Sequence, residues 1–467
     1  MKINEQLIEI QEHFGVISSE VILITGSIIL LILGIFKTPL LWVKGVTAVV
    51  LLGSFIYVPK EQGLFFTQTI IRDNLSYLMN QLLPLVTLGV LCFKTQKHQS
   101  YEFYFLLISA LIGSLFMVGS HNLLILYLAI ELTSYSSYFL TGIGFNEKGS
   151  EAALKFLLFG GLSSAVMLFG ISLLYGAHDS LYFNIMEFSI LDATGLLFFL
   201  SGFFFKTAIV PFHIWIPTTY QGAPTDVAAF FSIVPKIAGF AVLYHVLKWT
   251  NELFNPFLER LILFLAIVTI LWGTLCALRQ TDIKRMLSYG AMAHSGFILP
   301  LCLFMETYSV FKFYIVFYAI VNILAFFFVQ LHENEGENLS LSKFSGLGMK
   351  FPYLGGISVI WAIALVGLPP TGGFMAKLFL FSTAWNYYES VNSLYWLIFI
   401  GLGILSSAAS LYFYLRVPYF YFFKQDQGKK PGISKMHYAI LTLLAFTLIF
   451  LFIQPNILDK FAPMINP

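Results

Sequence analysis

Phe203–Trp215 reads FFFKTAIVPFHIW, and its lysine, Lys206, stands inside a span of about 20 apolar residues, the length a helix needs to cross a bilayer. A cation at that depth is costly and is retained for function. Four more lysines interrupt strongly apolar stretches, Lys155, Lys236, Lys312 and Lys377, and one carboxylate, Glu131, does the same in YLAIELTSYSSY. A membrane protein that keeps such residues is expected to move charge.

The surroundings of Lys206 fix the class. Of the 467 residues 58% are hydrophobic, 17% aromatic and only 11% charged, and the mean hydropathy is +0.82. No soluble core needs that much apolar sequence. The chain therefore reads as one all-α polytopic membrane domain over 1–467. Fourteen apolar windows fit spanning helices, among them 122–141, 152–175, 196–213, 225–247, 285–304, 308–331 and 353–386, with the last at 436–455. The first twenty residues carry Glu5, Glu9, Glu12 and Glu20 against one lysine, the reverse of a signal peptide, so the first helix is expected to stay.

Cytoplasmic loops retain Lys and Arg. With the N-terminus outside, fourteen spans put fifteen basic residues inside and six outside, and the five intramembrane lysines complete the 26. Both termini are then external, which is periplasmic for an inner cell membrane. Cys92, Cys276 and Cys302 lie singly, so neither a disulfide framework nor an iron-sulfur or zinc spacing is present, and no cofactor site is expected in this chain. No basic patch suggests nucleic acid.

Two spans read as broken. Pro211 frees the carbonyl of Thr207, beside Lys206, while in GLPPTGGFMAK Pro369 and Pro370 free those of Leu365 and Val366 ahead of Lys377. Pro235, directly before Lys236, predicts a milder interruption of the eighth span. Non-helical backbone at membrane depth survives where it is buried in protein or lines a wet cavity. The placement suggests two inverted five-helix repeats, spans 4–8 over 101–247 and spans 9–13 over 258–417, after an N-terminal section of spans 1–3 over 1–100, with discontinuous spans 7 and 12 in corresponding positions.

These phrases carry a resemblance. Residues 203–240, FFFKTAIVPFHIWIPTTYQGAPTDVAAFFSIVPKIAGF, together with 127–142, 151–176 and GLPPTGGFMAKLFLF at 367–381 resemble the antiporter-like subunits of proton-pumping NADH:quinone oxidoreductase, respiratory complex I, and most of all bacterial subunit N. The resemblance covers the chain from about the second to the thirteenth span. Lysine at 377, where subunit M has glutamate, favours N. Asp226 and Pro235 depart from the family pattern.

The resemblance implies that Glu131, Lys206, Lys236 and Lys377 form a proton path. It also implies that NADH, FMN, iron-sulfur clusters and quinone are housed in partner subunits, and that the neighbours in the bilayer are subunit M and small subunits such as K and J. Elementary electrostatics agrees with the path: burial disfavours a charged lysine and a nearby carboxylate restores it, so a Glu131 that moves relative to Lys206 would load and unload a proton. The competing functions are a subunit of a multi-subunit cation/proton antiporter and a structural subunit without a path of its own.

Other polar residues have bland alternatives. Lys312, near the start of its span, reads as snorkelling to an interface. Lys155 is a relay or the i,i+4 partner of Glu151. His213 and His294 are possible relays or hydrogen-bonded buried rings. His245 and His121 fall near span ends and are expected to meet headgroups. Tyr135 and Tyr138 share the Glu131 face.

Overall fold

The prolines and glycines that interrupt the apolar runs decide where the helices stop. The computed structural model describes residues 13–93, 99–182, 189–249, 256–303, 307–333, 339–425, 431 and 433–458. Glu5, Glu9 and Glu12, and Lys2, Lys94, Lys97, Lys429, Lys430 and Lys460 of the orientation count, lie outside the described residues. Among the described residues there are sixteen α-helices: α1 (Ser18–Ile35), α2 (Leu40–Ile56), α3 (Asn74–Leu91), α4 (Tyr101–Gly119), α5 (Leu123–Gly142), α6 (Glu147–His178), α7 (Ile190–Thr207), α8 (Trp215–Gly222), α9 (Thr225–Trp249), α10 (Pro256–Leu278), α11 (Ile283–Ile298), α12 (Tyr308–Leu331), α13 (Pro352–Val366), α14 (Gly372–Val391), α15 (Leu394–Phe423) and α16 (Lys435–Ile453). A two-stranded hairpin, Gly63–Phe65 with Ile70–Arg72, joins α2 to α3. Eleven of the helices are long and apolar enough to cross a membrane.

Caps fix several starts. The side chains of Asp73, Asn122, Asn146, Ser189 and Asp282 accept backbone N–H groups at the N-termini of α3, α5, α6, α7 and α11, satisfying donors that a helix start leaves open.

The seventh predicted span is broken as expected. α7 ends at Thr207 because Ala208 turns left-handed at φ 59, a conformation that costs a non-glycine residue about 1–2 kcal/mol. Two hydrogen bonds hold the break: Trp215 Nε1 donates to the Phe205 carbonyl at 2.9 Å and Val210 N to Thr269 Oγ1 on α10 at 3.1 Å. The twelfth span is likewise divided, into α13 and α14. Gly367 at φ 87 caps α13, a geometry glycine reaches without strain.

The eighth span differs from the sequence reading. α9 runs continuously through Pro235, because it is the most enclosed helix of the bundle: its apolar window is 100% buried, against 28% for α15 and α16. Neighbours on every side hold the helix where propensity alone would loosen it. α12 lies beside α9 and is nearly as enclosed, at 94%. Between apolar helices in lipid, close packing rather than water exclusion holds the contact. Gly273 of α10 is an instance, since a Cβ there would lie 2.8 Å from the Ala293 amide and the Tyr289 carbonyl of α11. That approach seats α11, and His294 with it, in the interior.

Candidate proton-path residues

Lys206 occupies the last turn of α7 and is 5% exposed. Its Cβ lies against Gly239 of α9, where an added Cβ would stand 3.6 Å away. The charge of Glu131 on α5 acts on Lys206, yet the two form no direct ion pair, and the buried Glu131 Oε1 meets no hydrogen-bond partner among the described residues. Beyond Glu131 the helix face divides. Tyr138 is buried with its hydroxyl against Gly160 of α6, whereas Tyr135 is 54% exposed.

Lys236 stands at the middle of α9, 1% exposed. Its Nζ donates to the Ala291 carbonyl of α11 at 3.0 Å and lies 5.9 Å from the ring centre of Tyr318 on α12. One turn along α11 from Ala291 comes His294, whose Nδ1 is 2.9 Å from the Tyr314 hydroxyl. The His294 ring feels the charges of both Lys236 and Lys377 and faces the Leu365 carbonyl. Lys377 Nζ donates to the Val366 carbonyl at 2.7 Å and to Ser407 Oγ at 3.0 Å, and it lies 4.9 Å from the Phe297 ring centre. The Val366 carbonyl, which Pro370 releases from α13, thus receives the lysine. A cavity of about 10 Å³ separates His294 from Lys377, lined also by Ser406, Ser410 and Tyr414, space for about one water molecule.

The remaining predicted residues fall elsewhere. Lys155 is 45% exposed and pairs with Glu151 on the α6 surface, apart from the row. His213 sits in the α7–α8 break with its ring edge-on to Trp272, and its buried Nδ1 has no partner among the described residues. Lys312 does not reach an open surface: it is 1% exposed, with Nζ near the Tyr308 ring and 3.4 Å from the Leu458 carbonyl.

His245 does not meet headgroups either. It is 1% exposed, with Nε2 2.9 Å from Asp73 Oδ2. His121 is 8% exposed, its Nδ1 against the Gln68 carbonyl at 3.1 Å. The hairpin and the start of α3 cover this end of the bundle and take both rings out of reach. Burial pushes the Asp73 carboxyl up, but the His245 charge and the hydrogen bonds from His245 and Ser76 outweigh it and hold the group well below the usual carboxylate range. Beside this pair, Arg72 donates to Glu20 at 2.6 Å, both buried.

Sequence reasoning missed a second polar group at the opposite end of α9. Lys284 Nζ donates to the Ala223 carbonyl at 2.9 Å and to Glu333 Oε1 at 3.0 Å. Ser232 Oγ donates to Asn322 Oδ1 at 3.2 Å, and the Tyr318 hydroxyl to the Ser232 carbonyl at 3.0 Å. The one available signal was the four-residue spacing of Ser232 and Lys236, and of Tyr318 and Asn322, which puts each pair on one helix face. Asp226, the family departure, is fully buried and accepts from Gln99 Nε2 at 2.8 Å. Among the described residues no three His, Cys, Asp or Glu side chains gather as a metal site.

Known proteins resemble the chain over most of its length. A family model for the transmembrane part of NADH:quinone oxidoreductase and Mrp antiporters matches residues 120–406. NADH-quinone oxidoreductase subunit N of Chlorobium chlorochromatii is 33% identical over 398 residues, covering 79% of this chain and 77% of the relative. NAD(P)H-quinone oxidoreductase subunit 2 of Microcystis aeruginosa is 32% identical over 453 residues, 92% of this chain and 87% of the relative. A chain of respiratory complex I from Thermus thermophilus superposes with a TM-score of 0.83 at 29% identity, covering 95% of this chain and 98% of that one.

Proposed function

Because the chain belongs to the family of NADH:quinone oxidoreductase and Mrp antiporter transmembrane subunits, we propose that it is a proton-translocating subunit of an inner-membrane NADH:quinone oxidoreductase. In this reading NADH, flavin, iron-sulfur and quinone chemistry resides in partner subunits, and an M-type antiporter-like subunit and small K- and J-type subunits flank the chain. Counting each broken pair, α7–α8 and α13–α14, as one span gives fourteen, arranged as inverted repeats over 101–247 and 258–417. The Lys284 end then faces the cytoplasm and the Asp73–His245 end the periplasm, with both termini periplasmic.

One observation carries the proposal: Lys206, Lys236, His294 and Lys377 are all buried in the bundle, the stem of Lys206 packs beside Gly239 one turn from Lys236, Lys236 bonds the Ala291 carbonyl one turn from His294, and His294 and Lys377 line one cavity. Structural ion pairing explains such a row poorly, since buried pairs rarely improve on apolar packing and Glu131 makes no direct ion pair with Lys206. A carboxylate standing off its lysine is suited to control. At an effective dielectric of about 20, closing a pair to about 4 Å is worth about 4 kcal/mol, and about 1.4 kcal/mol moves a pKa by one unit. Motion of Glu131 toward Lys206 loads the lysine, and motion away releases the proton toward Lys236.

The test is Lys206→Ala in the assembled complex. Proton pumping and coupled NADH:quinone activity are expected to fall, while NADH oxidation by an artificial acceptor at the flavin site stays at the wild-type rate. Loss of both activities, or retention of full pumping, contradicts the proposal.

A further inference from the structure

Beside the break between α7 and α8 lies a hollow of about 300 Å³, with Phe159, Leu162 and Val166 of α6 on one side and Phe205, Ile214 and Trp215 on the other. It opens outward, since Leu162 is 65% and Ile214 55% exposed. The polar side-chain groups of its walls are engaged within the protein: the Ser163 hydroxyl is directed at the Ser201 carbonyl at 3.5 Å, and Trp215 Nε1 bonds the Phe205 carbonyl. The irregular backbone is closed as well. The amides of Ala208, Ile209 and Phe212 bond carbonyls of the same segment and Val210 N bonds Thr269, while Pro211 has no donor to offer. A hollow so lined fits hydrocarbon and no polar group.

Its depth follows from α6. The 32 residues of that helix make a rod about 48 Å long, against about 30 Å of hydrocarbon in a bilayer, and Leu162 stands at the middle of it. The hollow therefore faces the centre of the bilayer, where no water is at hand. An apolar hollow does not fill with water in any case, and left empty its lining would forfeit dispersion contacts.

We propose that the hollow is a binding site for one acyl chain of a bilayer phospholipid, which braces the α7–α8 break from outside. The bracing has a route inward through stacked rings. Trp215 stacks on Phe156 with ring centres 4.4 Å apart, Phe205 lies 5.2 Å from Trp215, and Phe156 meets Tyr138 edge-on at 4.9 Å. Phe205 is the residue before Lys206, and Tyr138 is about two turns along α5 from Glu131. A chain seated on Phe205 and Trp215 supports the aromatic group that joins these two helices.

The experiment labels the assembled complex in vesicles of phosphatidylethanolamine that carries a photoreactive diazirine at the methyl end of one acyl chain. Label is expected in segments 156–166 and 205–215 of the wild type. It is expected to be severalfold weaker when the diazirine sits beside the glycerol ester, and severalfold weaker in Leu162→Trp, whose indole fills the hollow from its exposed rim. Ile214→Trp is the second filled variant, should Leu162→Trp fail to assemble. Equal labelling of the wild type and a filled variant overturns the site. So does a benzophenone side chain at position 162 that captures a partner subunit instead of lipid, or a quinone with a diazirine in its tail that labels these segments where the phospholipid does not. The bracing rests on the proposed function and is read separately. NADH-driven proton uptake by lipid-depleted complex is expected to rise severalfold on return of phospholipid in the wild type and far less in Leu162→Trp; an equal rise in both overturns the bracing. Absence of uptake by the fully lipidated wild type would fail the proposed function alone, because the labelling does not depend on pumping.

Discussion

The two halves of α9 are equally buried and opposite in character. Between Thr225 and Ser232 the helix carries a threonine, an aspartate and a serine, and it faces the tyrosine and asparagine of α12. Between Ile237 and Leu243 it carries only aliphatic, aromatic and glycine residues. Lys236 is the boundary. A surface helix reveals its role around its circumference, where an apolar stripe marks the core side. In a helix enclosed on all sides that signal vanishes, and polarity varies along the length instead. For α9 the variation separates a half that carries hydrogen-bonding side chains from an apolar stretch that carries none.

The comparison is broken most severely by wetting the dry half. Phe240→Asn combined with Leu243→Thr puts hydrogen-bonding groups between Lys236 and His245, at a cost of about 1–3 kcal/mol for each buried polar group left unmatched. In a complex that still assembles, the expected outcome is collapse of the NADH-driven proton gradient, with electron transfer made insensitive to added uncoupler. Vesicles that remain tight would mean that the apolar half is not the barrier.

His294 tests whether the proposed path continues beyond the boundary. Glutamine at this position keeps a side chain able to bond the Tyr314 hydroxyl but cannot exchange a proton near neutral pH. Pumping by His294→Gln is expected to fall severalfold, less than for the wetted helix because gradient retention is intact. The check is proton uptake normalised to assembled complex. A wild-type rate would show that the 10 Å³ cavity beside Lys377 is bridged by water alone.

Much of this geometry was legible in the chain, and the reason is local. Proline removes a donor at a known offset, so Pro369 and Pro370 identify the Leu365 and Val366 carbonyls as unpaired before any fold is known. The second of them receives Lys377. Pro235 shows the limit of the same rule, because enclosure by neighbouring helices kept α9 continuous where the offset predicts a mild interruption. His245 was misread for a related reason. Its position near a span end says headgroup, but the α2–α3 hairpin and Asp73, more than 170 residues earlier in sequence, close over it. The group of Ser232, Tyr318 and Asn322 draws on two helices, and no periodicity within either could announce that they meet.

Lys155 gives the smallest expected effect and sharpens the comparison by supplying a lysine in an apolar helix that lies off the axis. Its ammonium pairs with Glu151 one turn earlier on α6, and both side chains are substantially exposed, the setting in which ion pairs contribute least. Neither residue reaches Lys206, and the α6 residues that do meet the Glu131 face are Phe156 and Gly160, both against Tyr138. If position in the buried row rather than mere presence in a span makes a lysine a proton carrier, Lys155→Gln should pump close to the wild-type rate, and Glu151→Gln likewise, in the assay that registers Lys206→Ala as a large loss. A drop in Lys155→Gln comparable to that of Lys206→Ala would place a carrier on the α6 surface. The path would then have to extend toward the neighbouring subunit, and the distinction between buried and exposed lysines would lose its force.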